Sequence, residues 1–367
     1  MSNMVNICDV CTDIFAGGDA PKGRISSIRT EQYPIPIYSN GEDKAGLYGY
    51  TDTARVYAQS VTVSARGTIG YTAIRTEPFV PIVRLITLVP DQSKIDIKYL
   101  YYAVQNYEFE GSGTSIPQLT VPMLKKYNFP LPSKEEQQKV VSALDKVNEL
   151  ISLRKEQLAK RDQLVKSRFI ELFGDPETNP KGLVKVLLSD IAEYFNGLTY
   201  SPDNVTKDGT IVLRSSNIQN SQLDFADTVR VNSSIKDKLF VKDNDILLCS
   251  RNGSARLVGK VALIKNLSEP MTFGAFMMII RSKYYPYLMT YFQMDAFRRQ
   301  ISTGATTTIN QITGNMLNKI SLPLPKMADI IEFAAFVEQT DKSKVAIQAS
   351  LDKLELLKKS LMQEYFG

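Results

Sequence analysis

The side chains whose type and spacing could do chemistry are few, and they begin with Cys8 and Cys11. Two cysteines with two residues between them make half of a tetrahedral zinc site, which needs four thiolate, imidazole or carboxylate ligands. The third cysteine, Cys249, stands alone, and the chain of 367 residues contains no histidine. A zinc ion would have to borrow carboxylates or a partner's ligands, so the expected reading is two semi-buried thiols and no metal site. Three cysteines also make no disulfide framework. The lack of histidine removes the commonest general base. Carboxylate pairs remain at Glu108 with Glu110 and at Asp243 with Asp245. Acid–base catalysis needs two carboxyls whose surroundings push their pKa values apart, and these pairs read instead as solvated loop or turn carboxylates. No G-x-x-x-x-G-K-[ST] phosphate loop is present. The chain is expected to hold no catalytic, metal-binding or cofactor-binding residue of its own.

Charge bounds what it can bind. Lys and Arg number 44 against 39 Asp and Glu, a net charge of +5. Residues 1–132 carry twelve basic and twelve acidic side chains, whereas 174–325 carry seventeen against thirteen. A nonspecific nucleic-acid binder would be more basic. Affinity for DNA would have to rest on placed contacts or on a basic partner. The apolar fraction of 43% and charged fraction of 23% fit a soluble globular protein. No apolar run is long enough for a bilayer, and the polar start Met1 to Asn6 lacks a signal peptide's basic and apolar regions. A cytoplasmic protein without a membrane partner is expected.

The elements that must position any such contacts come from a duplication. Ser115 to Gly174 aligns without a gap on Thr308 to Gly367 at a constant offset of 193 residues. Gln118, Thr120, Met123, Leu124, Lys126 and Pro130-Leu-Pro132 recur as Gln311, Thr313, Met316, Leu317, Lys319 and Pro323-Leu-Pro325. After a diverged middle, Leu158, Lys160, Leu164, Lys166, Ser167, Glu171, Phe173 and Gly174 return as Leu351, Lys353, Leu357, Lys359, Ser360, Glu364, Phe366 and Gly367. Such a period exceeds any solenoid repeat and marks a duplicated domain.

Four parts follow. Residues 1–132 look α/β, with short apolar runs divided by Gly, Pro and Asp. Residues 133–174 form a central long helix: no Gly or Pro interrupts Ser133 to Phe173, and apolar residues recur at three- or four-residue steps. Ser133 and Glu136 supply an S-x-x-E capping box, and Gly174-Asp-Pro176 the stop. Residues 175–325 hold a linker and a second α/β region, and residues 326–367 a distal long helix with a poorer cap. Forty helical residues span about 60 Å, too long for a small domain to bury, so the two copies should pair as an antiparallel coiled coil. Two surface helices, each on its own domain, is the competing arrangement. Arg154, Arg161, Asp341 and Lys344 interrupt the seam, which points to a further helical partner over part of it.

Here the residues carry a family resemblance. Thr114-Ser-Ile-Pro-Gln-Leu-Thr, then Phe129-Pro-Leu-Pro-Ser-Lys-Glu-Glu-Gln137 leading into a long helix that ends Ser167-Arg-Phe-Ile-Glu-Leu-Phe-Gly174, resembles the specificity subunit of type I restriction-modification systems. Ser64-Ala-Arg-Gly-Thr-Ile-Gly70 and Gly17-Gly-Asp-Ala-Pro21 resemble recurring turns of its target-recognition domains. One departure is that the second copy reads Lys326-Met-Ala-Asp-Ile-Ile331, without the Glu-Gln pair, which bears on whether both helix starts make equivalent partner contacts.

The resemblance implies an α/β (α+β) fold of tandem target-recognition domains, each followed by a long helix, in a pseudo-twofold, circular arrangement with the second helix returning toward Met1. It also implies a non-catalytic subunit that reads double-stranded DNA. Its partners would be two copies of an adenine methyltransferase using S-adenosylmethionine, and a restriction and translocation subunit using ATP and Mg. An F-x-G-x-G turn with an Asn-Pro-Pro-Phe/Tyr motif is absent from the chain itself. The two helices would act as a ruler, since major-groove faces repeat about every 34 Å. The target should be bipartite, with two different half-sites read by the diverged regions.

Base contacts use Arg, Lys, Asn, Gln, Ser or Thr on loops and element ends. In the first region Arg66 and Thr68 follow the Ser60 to Ala65 strand, and Arg24 lies near the glycine turn. In the second, Arg214, Ser216 and Asn217 follow Ile211 to Leu213, while Arg251, Asn252 and Arg256 occupy the place of the Ser-Ala-Arg-Gly turn. For each, a surface side chain or structural turn is the plain alternative. Gly111-Ser-Gly-Thr-Ser115 and Gly304-Ala-Thr-Thr-Thr308 could approach phosphates or serve as hinges. Tyr48, Tyr50 and Tyr57 could stack on bases, although strand-rich regions use tyrosine in cores. Two other functions compete: a coiled-coil scaffold without DNA sequence specificity, and a nuclease or methyltransferase in its own right.

Overall fold

The computed structural model describes residues 3–107, 118–302 and 311–367. Two loops and the Glu108 and Glu110 pair named above, at 108–115 and 304–308, lie outside the described residues. The chain divides into two compact units, Met1–Glu156 with Gln348–Gly367, and Gln157–Ile347. Each unit therefore takes part of both long helices.

In the first unit, Ser60–Val63 is buried along its whole length, so this β-branched run forms an inner strand. It pairs antiparallel with Thr72–Arg75 on one side and Ile86–Pro90 on the other, and Cys11–Ala16 closes the order beyond Ile86–Pro90. The apolar run from Ile97 is a helix, Ile97–Asn106, because the Asp96 carboxylate caps the amides of Lys98 and Tyr99. A second sheet joins Leu47–Thr51, Ile35–Tyr38 and Val80–Pro81, the last pair parallel.

The second unit repeats this plan with other residues. Glu193–Asn196, Met277–Arg281, Ile246–Cys249 and Val261–Leu263 stand in the same antiparallel order. Thr210–Leu213 runs parallel to Met271–Phe273, as Ile35–Tyr38 does to Val80–Pro81. The sequences of the two regions diverged while their strand order did not.

The long helices are Lys134–Phe173 (the central helix) and Met327–Phe366 (the distal helix), each 40 residues. At the start of the first, the Ser133 amide donates to Glu136 Oε2 at 3.1 Å and the Glu136 amide to Ser133 Oγ at 3.3 Å. At its end Gly174 takes φ +78° and its N–H bonds the Ile170 carbonyl at 2.7 Å, a left-handed stop that favours glycine. Within the second unit the helices run antiparallel, since Arg161 meets Asp341 and Arg168 meets Glu332 at 2.6 Å. Within the first, Arg154 Nε reaches Ser350 Oγ at 3.2 Å, and Leu144 and Val140 share a core with Met362 and Phe366.

The seam charges do not call for another helix. Arg161, only 8% exposed, donates to the Thr340 carbonyl at 2.8 Å and to Asp341, and Lys344 donates to the Asn220 carbonyl at 2.8 Å. Burial lowers the pKa of Lys344. Long side chains with polar ends reach partners inside their own unit, which is why charges are tolerated at these positions.

The identities shared by the repeats build one joint twice. In the first unit buried Tyr99 donates its hydroxyl to the Pro130 carbonyl at 2.8 Å and packs 5.0 Å from the Phe366 ring. In the second, Tyr287 donates to the Pro323 carbonyl at 2.6 Å and packs 5.3 Å from Phe173. The Pro-Leu-Pro turn and the last phenylalanine of each copy are thus held by a tyrosine that the sequence repeat does not align. The missing Glu-Gln pair also has an explanation. Gln137 is 1% exposed, its Oε1 accepting from the Asp96 amide at 2.8 Å and its Nε2 donating to the Pro132 carbonyl at 3.0 Å. Its counterpart at offset 193 is Ile330, 0% exposed. Both are interior residues, so the departure exchanges a polar brace for an apolar one.

Candidate nucleic-acid interface

Two of the exposed candidate contacts follow strands that are buried along their whole length, Ser60–Val63 and Ile246–Cys249. Arg66 opens the hairpin that joins Ser60–Val63 to Thr72–Arg75, where the Ser64 amide bonds the Tyr71 carbonyl at 2.8 Å and the Gly70 amide the Ser64 carbonyl at 3.0 Å. Gly67 at φ +71° lets this chain reverse without strain. The residue before Arg66 is fixed from two sides. Asn40 Oδ1 accepts from the Ala65 amide at 2.7 Å, and the Ala65 carbonyl accepts from the Leu119 amide at 2.9 Å. Arg66 itself is exposed. Its guanidinium donates through Nε at 3.1 Å and Nη2 at 2.7 Å to a single acceptor, Gln118 Oε1.

The second unit builds the same place differently. The Ile312 amide donates to the Ser250 carbonyl at 2.7 Å as Leu119 does to Ala65, and Leu119 and Ile312 are partners in the repeat. Arg251 therefore corresponds to Arg66, and Gln311, its antiparallel bridge partner, corresponds to Gln118. Arg251 is exposed, with its guanidinium 5.5 Å from the centre of the Phe276 ring. Phe276 is itself 59% exposed. Arg251, Phe276, Gln311 and Thr313 line a shallow recess of about 310 Å³.

The neighbouring loops divide into those that present side chains and those that spend them. Thr68 is exposed at the hairpin tip, and Arg256 is exposed on the single turn Ala255–Leu257 with no hydrogen-bond or ion-pair partner among the described residues. Asn252 is half-buried: its Nδ2 donates to Ser215 Oγ at 3.2 Å and its Oδ1 accepts from the Ser254 amide, so it ties the two loops of this unit together. Arg214 is engaged by Asp227 at 2.7 Å, and Arg24 by Asp52 at 3.2 Å. Ser216 is half-buried with its hydroxyl unbonded among the described residues.

Asn217 does not fit a base-reading role. It is 1% exposed; its Oδ1 accepts from the Arg214 amide at 2.8 Å and its Nδ2 donates to the carbonyls of Asp224 and Asp227. An asparagine after a strand caps its own turn readily, and this one is used up in doing so. Tyr57 and Tyr48 depart from the core reading, at 71% and 56% exposed. Tyr48 stands on the outer strand Leu47–Thr51 of its three-stranded sheet, and Tyr57 lies outside any strand, just after the isolated bridge at Val56. Sequence reasoning missed Gln118, Gln311 and Phe276 as members of the site. The signal was the Gln118 and Gln311 identity, read as part of the approach to the helix.

The groups with chemical potential elsewhere are committed or inert. Burial, with Cys8 nearby, pushes the Cys11 thiol up to about 12, which keeps it protonated. Burial also raises Cys249. Asp245 is buried and held by Arg281 at 2.6 Å, so of the Asp243 and Asp245 pair only the exposed Asp243 is solvated. No group of three or more metal-ligating side chains occurs among the described residues, and no described helix is long and apolar enough to cross a membrane.

Comparison with known proteins agrees with this arrangement. A family model described as the type I restriction modification DNA specificity domain matches residues 2–161 and again 180–361. A Mycoplasma pneumoniae protein described as a provisional type I specificity subunit is 35% identical over 137 residues, 37% of this chain and 40% of its own length. The specificity subunit of the Escherichia coli K12 type I restriction enzyme EcoKI is 28% identical over 159 residues, 41% of this chain and 34% of its own length. These matches thus span about a third to two fifths of the relatives. In fold, the chain is similar to the S subunit of a type I restriction-modification system from M. genitalium, with a TM-score of 0.60 at 17% identity over 100% of this chain and 96% of that one. A chain from a structure of type I system assembly gives 0.54 at 15% identity, over 99% of this chain and 97% of that one. With both halves matched by one family model and the same strand order in each, the chain belongs to the type I restriction-modification DNA specificity domain family.

Proposed function

We propose that this chain is the sequence-reading subunit of a type I restriction-modification complex, binding double-stranded DNA at a bipartite target and performing no chemistry itself. The observation that carries this reading is the paired site: an exposed arginine on an equivalent, braced turn of each unit, Arg66 and Arg251, set among residues that differ between the units. An arginine on a rigid turn suits the two acceptors that guanine presents in the major groove. Different surroundings at the two turns suit two different half-sites. Each 40-residue helix is about 60 Å long, more than the roughly 34 Å repeat of the major groove.

A second set of identities supports recruitment of two copies of one partner. Lys160, Leu164, Ser167 and Glu171 recur as Lys353, Leu357, Ser360 and Glu364, and all eight are exposed. Their spacing places four on one helix face, a stripe kept alike without a core to explain it. One stripe falls in each unit. In this reading each stripe receives an adenine methyltransferase subunit, which brings S-adenosylmethionine, while a restriction subunit brings ATP and Mg chemistry.

Co-expression with the cognate methyltransferase in a methylase-free host tests the proposal by genome-wide mapping of methylated adenines. A stable complex and one asymmetric split motif are expected. A complex that forms and methylates without any motif would point to a scaffold instead. Arg66→Ala is expected to weaken one half-site by about 1–3 kcal/mol and Arg251→Ala the other. Competition binding with single-base variants of the motif checks this, and a uniform loss on all sequences would mark phosphate contacts.

A further inference from the structure

We infer that Gln118 is a specificity-positioning residue that commits Arg66 to guanine, and that Gln311 holds the same place beside Arg251; the inference rests on the DNA-reading function proposed above. A guanidinium has five N–H donors in a planar fork. Gln118 Oε1 takes the Nε donor at 3.1 Å and one Nη2 donor at 2.7 Å, both on one edge. The opposite end, Nη1 with the remaining Nη2 hydrogen, stays open. That end carries two parallel donors at the spacing of guanine O6 and N7. A lone exposed arginine would sample many rotamers and lose them on binding. The clamp fixes the plane of the fork beforehand while leaving its reading end free.

The placement of Gln118 makes this more than a surface contact. It lies one residue before Leu119, whose amide is bonded to the carbonyl of Ala65, so backbone and side chain of the same segment hold adjacent residues of the turn. The second unit keeps the backbone half of the device, Ile312 to Ser250, and the glutamine at its head. There the Arg251 guanidinium lies over the Phe276 ring, a second way to orient a planar cation. Glutamine is therefore identical in the two copies although the loops around the arginines differ, as expected of a part that serves the reader and not the sequence read.

The test is a double-mutant cycle in the assembled complex with the methyltransferase. Competition binding would compare the mapped motif with versions carrying another base at each guanine of the first half-site. Gln118→Ala is expected to lower discrimination at one guanine about 3- to 10-fold, to leave the second half-site unchanged, and to have no further effect in an Arg66→Ala background. Gln311→Ala should act in the mirror sense, at the second half-site only. The unaffected half-site serves as the control for folding. Full discrimination by Gln118→Ala, or an equal loss with and without Arg66, would overturn the inference while leaving the reading function in place. A wild-type complex with no base preference would overturn both.

Discussion

Replacing Phe169 with alanine is expected to destabilise the second unit by about 3–5 kcal/mol, the range for deleting a fully buried aromatic ring. The ring is 0% exposed and sits 5.0 Å from Phe173, 5.0 Å from Tyr287 in a stacked arrangement and 5.7 Å from Phe333. These neighbours come from the central helix, the helix Tyr285–Tyr291 and the distal helix, so one cavity loosens three elements at once. Tyr287 also holds the Pro323 carbonyl, so the start of the distal helix would lose its anchor. Thermal denaturation followed by circular dichroism should show a drop of about 10 °C for a unit of this size. Phe169→Leu keeps most of the volume and should cost less than about half as much. Equal losses for the two variants would show that shape, not filled volume, governs the cluster.

The second large effect is electrostatic. Asp245 is 1% exposed and receives Arg281 through Nε at 2.7 Å and Nη2 at 2.6 Å, a bidentate pair. Arg281→Leu would leave that carboxylate buried with, among the described residues, only the Lys242 amide, at 2.8 Å, as a donor. Breaking such a pair from one side costs about 3–5 kcal/mol. Adding Asp245→Asn removes the charge but keeps an acceptor for the Lys242 amide, and most of the loss should return. Urea denaturation of the two singles and the double reads this directly. A double variant as unstable as the sum of the singles would mean the pair acts through packing against Phe195, whose ring centre is 5.2 Å from the guanidinium.

Much of the molecule was legible because its governing signals are local. The helix starts at the Ser133 and Glu136 box and stops at Gly174 because capping depends on residues within one turn. The position of the two corresponding turns was legible as well, since Arg66 and Arg251 stand at strand exits. What escaped depends on distant partners. The Arg66 and Gln118 contact joins residues 52 apart in sequence, and no local pattern distinguishes a glutamine that clamps an arginine from one that faces water. Gln137 shows the converse error: its place beside Glu136 made it look like a surface feature of the helix start, and it is buried. Asn217 has the right side chain for adenine, but it is buried and its own turn takes both Nδ2 donors and a bond to Oδ1.

The first compact unit is drawn from both ends of the chain, with the second unit's residues 157–347 made in between. At a synthesis rate of about 5–20 residues per second, roughly 10–40 s would separate the two contributions. During that interval Tyr99 and Leu144 would face water where Phe366 and Met362 later close the core. The second unit can finish earlier, since all its residues are contiguous. The order of completion thus runs against the order of synthesis: the first unit is begun first and becomes whole last, so translation that stops just past Ile347 would leave a chain with its second unit built and its first one open.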